Sequence, residues 1–155
     1  MALKKNRFQP EDIKIVAIHI PEFIVEQREY YENPSKLSGY DIEMEHETAY
    51  NDEHYAARFR LFFNIRGKNN NNEPAGVSAK ILLEFHFKLD NGEKYFIREN
   101  GNTKINLEMA ANLLSVAYAT ARGIILQLTL PSALGGVILP VMDAAKWIKE
   151  NQTKN

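Results

Sequence analysis

The chain has 155 residues, a formal net charge of −1 and no cysteine. That length suits one domain with a substantial core. The near-neutral charge excludes a strong electrostatic pull toward nucleic acid or an anionic membrane. The absence of cysteine excludes disulfides, thiolate catalysis and cysteine-ligated metals, and it fits a reducing compartment.

The start, MALKKNRF, carries positive charge with no apolar stretch behind it, so it does not read as a secretory signal. Residues 1–11 read as a polar, mobile leader, 12–150 as a single domain and 151–155 as a short tail. A first strand is expected from Ile13 to Ile20, continuing toward Glu26 past Pro21. Because Pro21 cannot donate to a ladder, it marks an edge or a break. The stretch QREYYENPSKLSGY follows as a long crossover with turn signals at Asn33-Pro34 and Ser38-Gly39. Its Tyr30, Tyr31, Leu37 and Tyr40 either fold over the domain's own core or wall a groove.

A second strand is expected over Tyr40–Tyr50 and a third over His54–Arg66, joined as a hairpin by Asn51-Asp52-Glu53. Period-two alternation puts Ile42, Met44, His46 and Thr48 on one face. Asp41, Glu43, Glu45 and Glu47 take the other, beside an arginine row from strand three. These charged rows read as a solvated sheet face, with a docking surface as the second reading. Residues 67–76 form a polar hairpin loop. A fourth strand is expected over Val77–Leu89, with Ala79, Ile81, Leu83, Phe85, Phe87 and Leu89 facing in. The tight turn Asp90-Asn91-Gly92 follows, and KYFIRE (94–99) reads as a short fifth strand pairing back.

Asn106 is placed to cap a helix over 107–128. That helix is apolar over more than one core face, with Leu107, Ala110, Leu114, Tyr118, Ala121, Ile125 and Leu128 in one row and Leu113, Ala117 and Ile124 beside it. In so small a chain, that surface asks for cover from a second subunit or a guest, unless the helix is the core helix of a monomer. Gly123 is a place where the helix bends or ends. The apolar run Ile124–Met142 is broken by Pro131, Gly135, Gly136 and Pro140, so it does not form an uninterrupted membrane span. A last short helix is expected in VMDAAKWIKEN, with Val141, Ala144, Ala145 and Ile148 on one face and Trp147 covering the main helix. Strands first and helices last make an α+β layout: a four-stranded antiparallel sheet with a long first crossover, then one long and one short helix.

Motifs for catalysis are missing. There is no phosphate loop, nucleophile elbow, HExxH or dinucleotide fingerprint, and no cofactor is implied. His19, His46, His54 and His86 lack helical ligand spacing; His19 and His46, at core-facing or edge positions, read as hydrogen-bonded structural residues, and no metal site is expected. Glu43, Glu45 and Glu47 stay solvated on an exposed strand face and do not read as catalytic acids.

The segment Asn112–Ile148 resembles the signature region of the SecB chaperone family. The shared features are Asn112-Leu113-Leu114 early in the helix, Tyr118-Ala119 one turn on, Pro131 at the helix end, and Pro140-Val141 followed by Asp143-Ala144. The resemblance implies a cytoplasmic homotetramer, a dimer of dimers, packed partly through Leu113, Ala117, Ala121 and Ile124. It implies a non-enzymatic, ATP-independent holdase for unfolded or nascent polypeptides that keeps preproteins export-competent. Its grooves would be walled by Phe23, Tyr30, Tyr31, Leu37, Tyr40, Leu128 and Leu130. The family's acidic sheet face docks the SecA motor ATPase, and Glu43, Glu45 and Glu47 would supply it here. The ending KENQTKN lacks the cysteine-bearing zinc tail of many members, which leaves room for a chaperone dedicated to one partner, as in a toxin–antitoxin module. An interaction scaffold would use the same apolar surface for a single partner. A hot-dog-like enzyme or small-ligand carrier also wraps a sheet around an apolar helix, although in that fold the long helix precedes most strands.

Overall fold

The computed structural model describes residues 8–28 and 37–152. Four strands, β1 (Ile13–Gln27), β2 (Gly39–Asn51), β3 (Ala56–Lys68) and β4 (Pro74–Leu89), form one antiparallel sheet in the order β1-β4-β3-β2. The helices α1 (Leu107–Thr129) and α2 (Ala144–Gln152) follow. The expected layout stands, with β1 and β2 at opposite edges.

The inward rows of β3 and β4 are the ones their alternation predicts. Ala57, Phe59, Leu61, Phe63 and Ile65 meet Ala79, Ile81, Leu83, Phe85 and Phe87 in direct register, and all are buried. A period-two pattern with one buried face fixes register strongly, because a one-residue slip would drive the charged row inward. On the outer face that row is laced by ion pairs: Lys68–Asp41 and Arg66–Glu43, each 2.7 Å, and Arg60–Glu84, 2.6 Å. Glu84 also meets His86 Nε2 at 2.5 Å; Arg60 first and His86 second hold its carboxyl down at about 2.

β1 is longer than its first apolar run and irregular. Its register with β4 shifts between Ile15 and Ala17 and again between His19 and Glu22, the second shift spanning Pro21. The expected domain start at 12 falls inside structured chain: Phe8 packs on the core and Pro10–Asp12 make a 3-10 turn. Asp12 is buried there. Its carboxylate accepts from Tyr95 Oη at 2.5 Å and Asn91 Nδ2 at 2.9 Å, and Tyr95 is buried too.

The segment 94–99 forms the expected short fifth strand but does not join the main sheet. β5 (Phe96–Glu99) pairs with β6 (Asn102–Ile105) in a separate two-stranded hairpin, because Asn100 and Gly101, both at positive φ, turn the chain back at once. Asn106 then caps α1, its Oδ1 accepting from Met109 N at 2.8 Å. Replacing Asn106 by alanine should cost about 1 kcal/mol, read as a lowered urea midpoint with unchanged slope.

α1 runs unbroken through Gly123 to Thr129, and a Cβ added at Gly123 would meet open space. By length and composition it could cross a membrane, yet its inner face forms the core, seated on β3 and β4. The chain after it folds back along one flank as an extended strap, residues 135–143. Three α1 side chains pin that strap. Thr129 Oγ1 accepts from Val137 N at 2.7 Å, Arg122 Nε donates to Leu139 O at 3.0 Å, and Tyr118 Oη donates to Pro140 O at 2.7 Å. Val141 does not join α2 as expected. It lies before the helix, highly exposed, because Asp143 caps α2 by accepting from Lys146 N. Ala144 and Ile148 are buried and Ala145 is exposed. Trp147 does not simply cover α1: its indole nitrogen reaches across to His46 on β2.

Candidate functional site

The inner face of the sheet is four strands wide, and its cover is not. α1 sits on β3 and β4. The strap and α2 lie toward β2, tied there by Tyr40 Oη donating to Leu134 O and by Trp147 Nε1 donating to His46 Nδ1. Nothing among the described residues covers β1 to the same degree. Ile15, Ile18 and Phe23 pair in register with the buried Phe87, Phe85 and Ile81, so they belong to the inner face. They remain 40, 39 and 37% exposed. Inward residues on β3 and β4 are at most 3% exposed, which marks the β1 strip as uncovered core.

Helix geometry supplies the wall. The strap occupies the flank of α1 carrying Tyr118, Arg122 and Thr129, so the opposite flank, with Val116, Thr120 and Ile124, is turned toward β1. These three are half-buried, as a groove wall would be. Between this flank and the uncovered β1 strip we infer an apolar furrow beside the edge strand. A cleft of about 590 Å³ lies between α1 and α2, lined by Leu107, Ala111, Ser115, Met142, Ile148 and Lys149 among others.

The residues singled out for polypeptide binding divide between two places. Phe23 belongs to the β1 furrow. Leu37 and Tyr40 belong to the other edge, three strand spacings or about 14 Å away, so they and Phe23 do not line one wall. Leu37 is half-buried over Gly67, its Cδ2 lying 2.7 Å from where a Cβ on that glycine would stand. Tyr40 is half-buried and hydrogen-bonded to the loop after α1; burial pushes its hydroxyl pKa up. Leu130 is 51% exposed and packs over Gly136 in that loop, while Leu128 is half-buried. Tyr30 and Tyr31 lie outside the described residues.

Three of the four residues expected at a subunit contact lie in the chain's own core. Leu113, Ala117 and Ala121 are fully covered by the chain's own strands, so no second copy can reach them; Ile124 alone is partly open. Wheel periodicity marks the apolar arc of α1 but not which part of it the sheet takes. The acidic row is also less free than its sequence suggests. Glu43 bridges Arg66 and Glu47 approaches Arg60 at 3.9 Å, while Glu45 stands opposite Phe62. Among the described residues no cluster of three or more His, Asp or Glu side chains could hold a metal ion.

No protein-family model and no curated protein matches the chain by sequence. Solved structures do. The SecB-like chaperone Rv1957 of Mycobacterium tuberculosis, in complex with a ChAD peptide from the Rv1956 HigA1 antitoxin, superposes with a TM-score of 0.61 at 18% identity. The match covers 85% of this chain and 92% of that one. The fold is SecB-like. A protein of unknown function from Streptococcus agalactiae gives a TM-score of 0.47 at 11% identity, covering 83% and 97% of the two chains, a likeness too remote to argue from.

Proposed function

We propose that this protein is a non-enzymatic, ATP-independent chaperone of the SecB family that binds extended apolar polypeptide segments. The observation that carries this reading is the β1 furrow. A soluble domain leaves Ile15, Ile18 and Phe23 open on the inner face of its own sheet, where a lone fold would be expected to bury them. An extended client laid beside an apolar strip gains burial for every second side chain, which is the economy of strand-like recognition. Each large apolar side chain buried contributes roughly 1.5–3 kcal/mol. A furrow of this kind therefore needs few contacts and little sequence specificity.

Two finer readings follow. In the first, the clients are unfolded or nascent preproteins kept export-competent in the cytoplasm, with hand-off to a SecA-type motor through Glu43, Glu45 and Glu47. In the second, the protein serves one dedicated partner. The antitoxin peptide in the complex of the SecB-like Rv1957 favours the second. So does the ion pairing of Glu43 and Glu47 within the sheet, which leaves less free acidic charge for a motor.

The test is an aggregation assay with a chemically denatured client, followed by light scattering. Wild-type protein should suppress aggregation at near-stoichiometric amounts. Ile18→Asp and Phe23→Asp should weaken suppression tenfold or more, since each forfeits upwards of about 1.4 kcal/mol of apolar contact. Native mass on the same samples separates loss of assembly from loss of client. A wild-type protein that suppresses nothing, or aspartate variants as effective as wild type, would end this reading.

A further inference from the structure

α2 packs along α1 and reaches the sheet by a tie unlike that of any other element. The strands are held by ladders, and α1 by a wide buried face. α2 is nine residues long and buries Ala144 and Ile148. Among the described residues its one hydrogen bond to the sheet runs from Trp147 Nε1 to His46 Nδ1, 3.0 Å, with the rings tilted at 57° and their centroids 6.3 Å apart.

The chemistry of that bond allows one protonation state. An indole N–H only donates. His46 Nδ1 must therefore offer a lone pair, so the ring is neutral with its proton on Nε2. A second proton has to go to Nδ1, where it turns an acceptor into a donor aimed at a donor. The bond is then lost and a cation is left partly buried. We propose that His46 and Trp147 form a proton-operated latch, whose protonation unseats Trp147, frees α2 from β2 and widens the cleft between α2 and α1.

Among the described residues no carboxylate pairs with His46 to steady an imidazolium. On β2, Glu45 and Glu47 point to the opposite face, and Met44 and Thr48, on the same face, are uncharged. The β3 partner is Leu61. On α2, Lys146 and Glu150 approach each other at 3.8 Å. On α1, Tyr118 and Arg122 are turned onto the carbonyls of Pro140 and Leu139. Burial pushes the His46 pKa down, with no charged neighbour contributing. A histidine pKa lowered by folding gives stabilisation that is complete above the unfolded value of about 6.5 and is lost as pH falls below it.

Trp147 is the only tryptophan, so its fluorescence reports the latch directly. In the full chain, lowering pH from 8 to 4.5 should red-shift the emission maximum reversibly, with a midpoint below about 6.5, while far-UV dichroism keeps the signal of α1. His46→Gln supplies an oxygen that accepts from the indole at every pH and should abolish the shift. A wild-type maximum that stays put to pH 4.5, or the same shift in His46→Gln, overturns the latch. Should the glutamine variant fail to fold, amide-exchange protection factors in the wild type decide. Protection should fall at pH 5 within 144–152 and hold in β3 and β4; equal protection of α2 at both pH values overturns the proposal.

Discussion

Leu113→Ala is expected to destabilise the fold by about 2–5 kcal/mol, enough to consume much of the roughly 5–15 kcal/mol available to a domain of this kind. Leu113 is fully covered on the inner face of α1, in the cluster formed with the inward rows of β3 and β4. Strands on one side and the helix backbone on the other limit collapse into the space left behind, so a cavity term adds to the lost transfer energy. Urea unfolding followed by dichroism should show a much lower midpoint. Ser115→Ala, two residues on and facing water, should move stability by no more than about 0.5 kcal/mol. Equal effects at the two positions would mean that α1 does not rest on the sheet by this face.

Asp12→Ala is expected to cost about 3 kcal/mol, from the loss of two hydrogen bonds to a buried carboxylate and the orphaning of a buried phenol. Asp12 joins the N-terminal turn to the far end of β4. Its side chain accepts from Tyr95 and Asn91, and its carbonyl accepts from Asp90 N at 2.8 Å. The Tyr95 hydrogen bond, followed by Asn91 and the charge of Lys94, outweighs burial and holds the Asp12 pKa below the usual carboxylate range. On the other side of that bond, burial and the carboxylate push Tyr95 up to about 12. A depressed carboxylate pKa stabilises the fold above its unfolded value of about 3.9 and loses that contribution as pH falls through the folded value. The alanine variant should accordingly lose stability at pH 7 and show a flatter stability profile than wild type between pH 5 and 2. Parallel profiles for the two proteins would refute the assignment.

Much of this fold is legible from alternation alone. β3 and β4 announce their inward rows because one face is wholly apolar and the other charged, and Asn106 announces the helix start because its side chain has one evident job. β1 is legible as a strand but not as the strand left uncovered on the inner face. IKIVAIHI is apolar on both faces, so periodicity cannot say which side stays uncovered. That depends on where α1 and the strap come to rest. The strap is illegible for a related reason. Its anchors, Tyr118, Arg122 and Thr129, act across 22, 17 and 8 residues and leave no local pattern. The start of α2 moves from Val141 to Ala144 because the capping carboxylate of Asp143 outranks apolar spacing. Tyr40 stands out in the sequence as an aromatic near the crossover, yet strand order places it at the edge opposite Phe23, and strand order is a global property.

The two interruptions in β1 have a bearing on how so much exposed oily surface is tolerated. Growth of a fibril needs a long, straight rim of unpaired amides on which the next chain can zip. Past β1 that rim is cut into short runs, 13–15 and 22–27 among them, with a proline in the gap. The molecule thus exposes apolar side chains on β1 while giving a would-be stack of identical copies no continuous template along that strand.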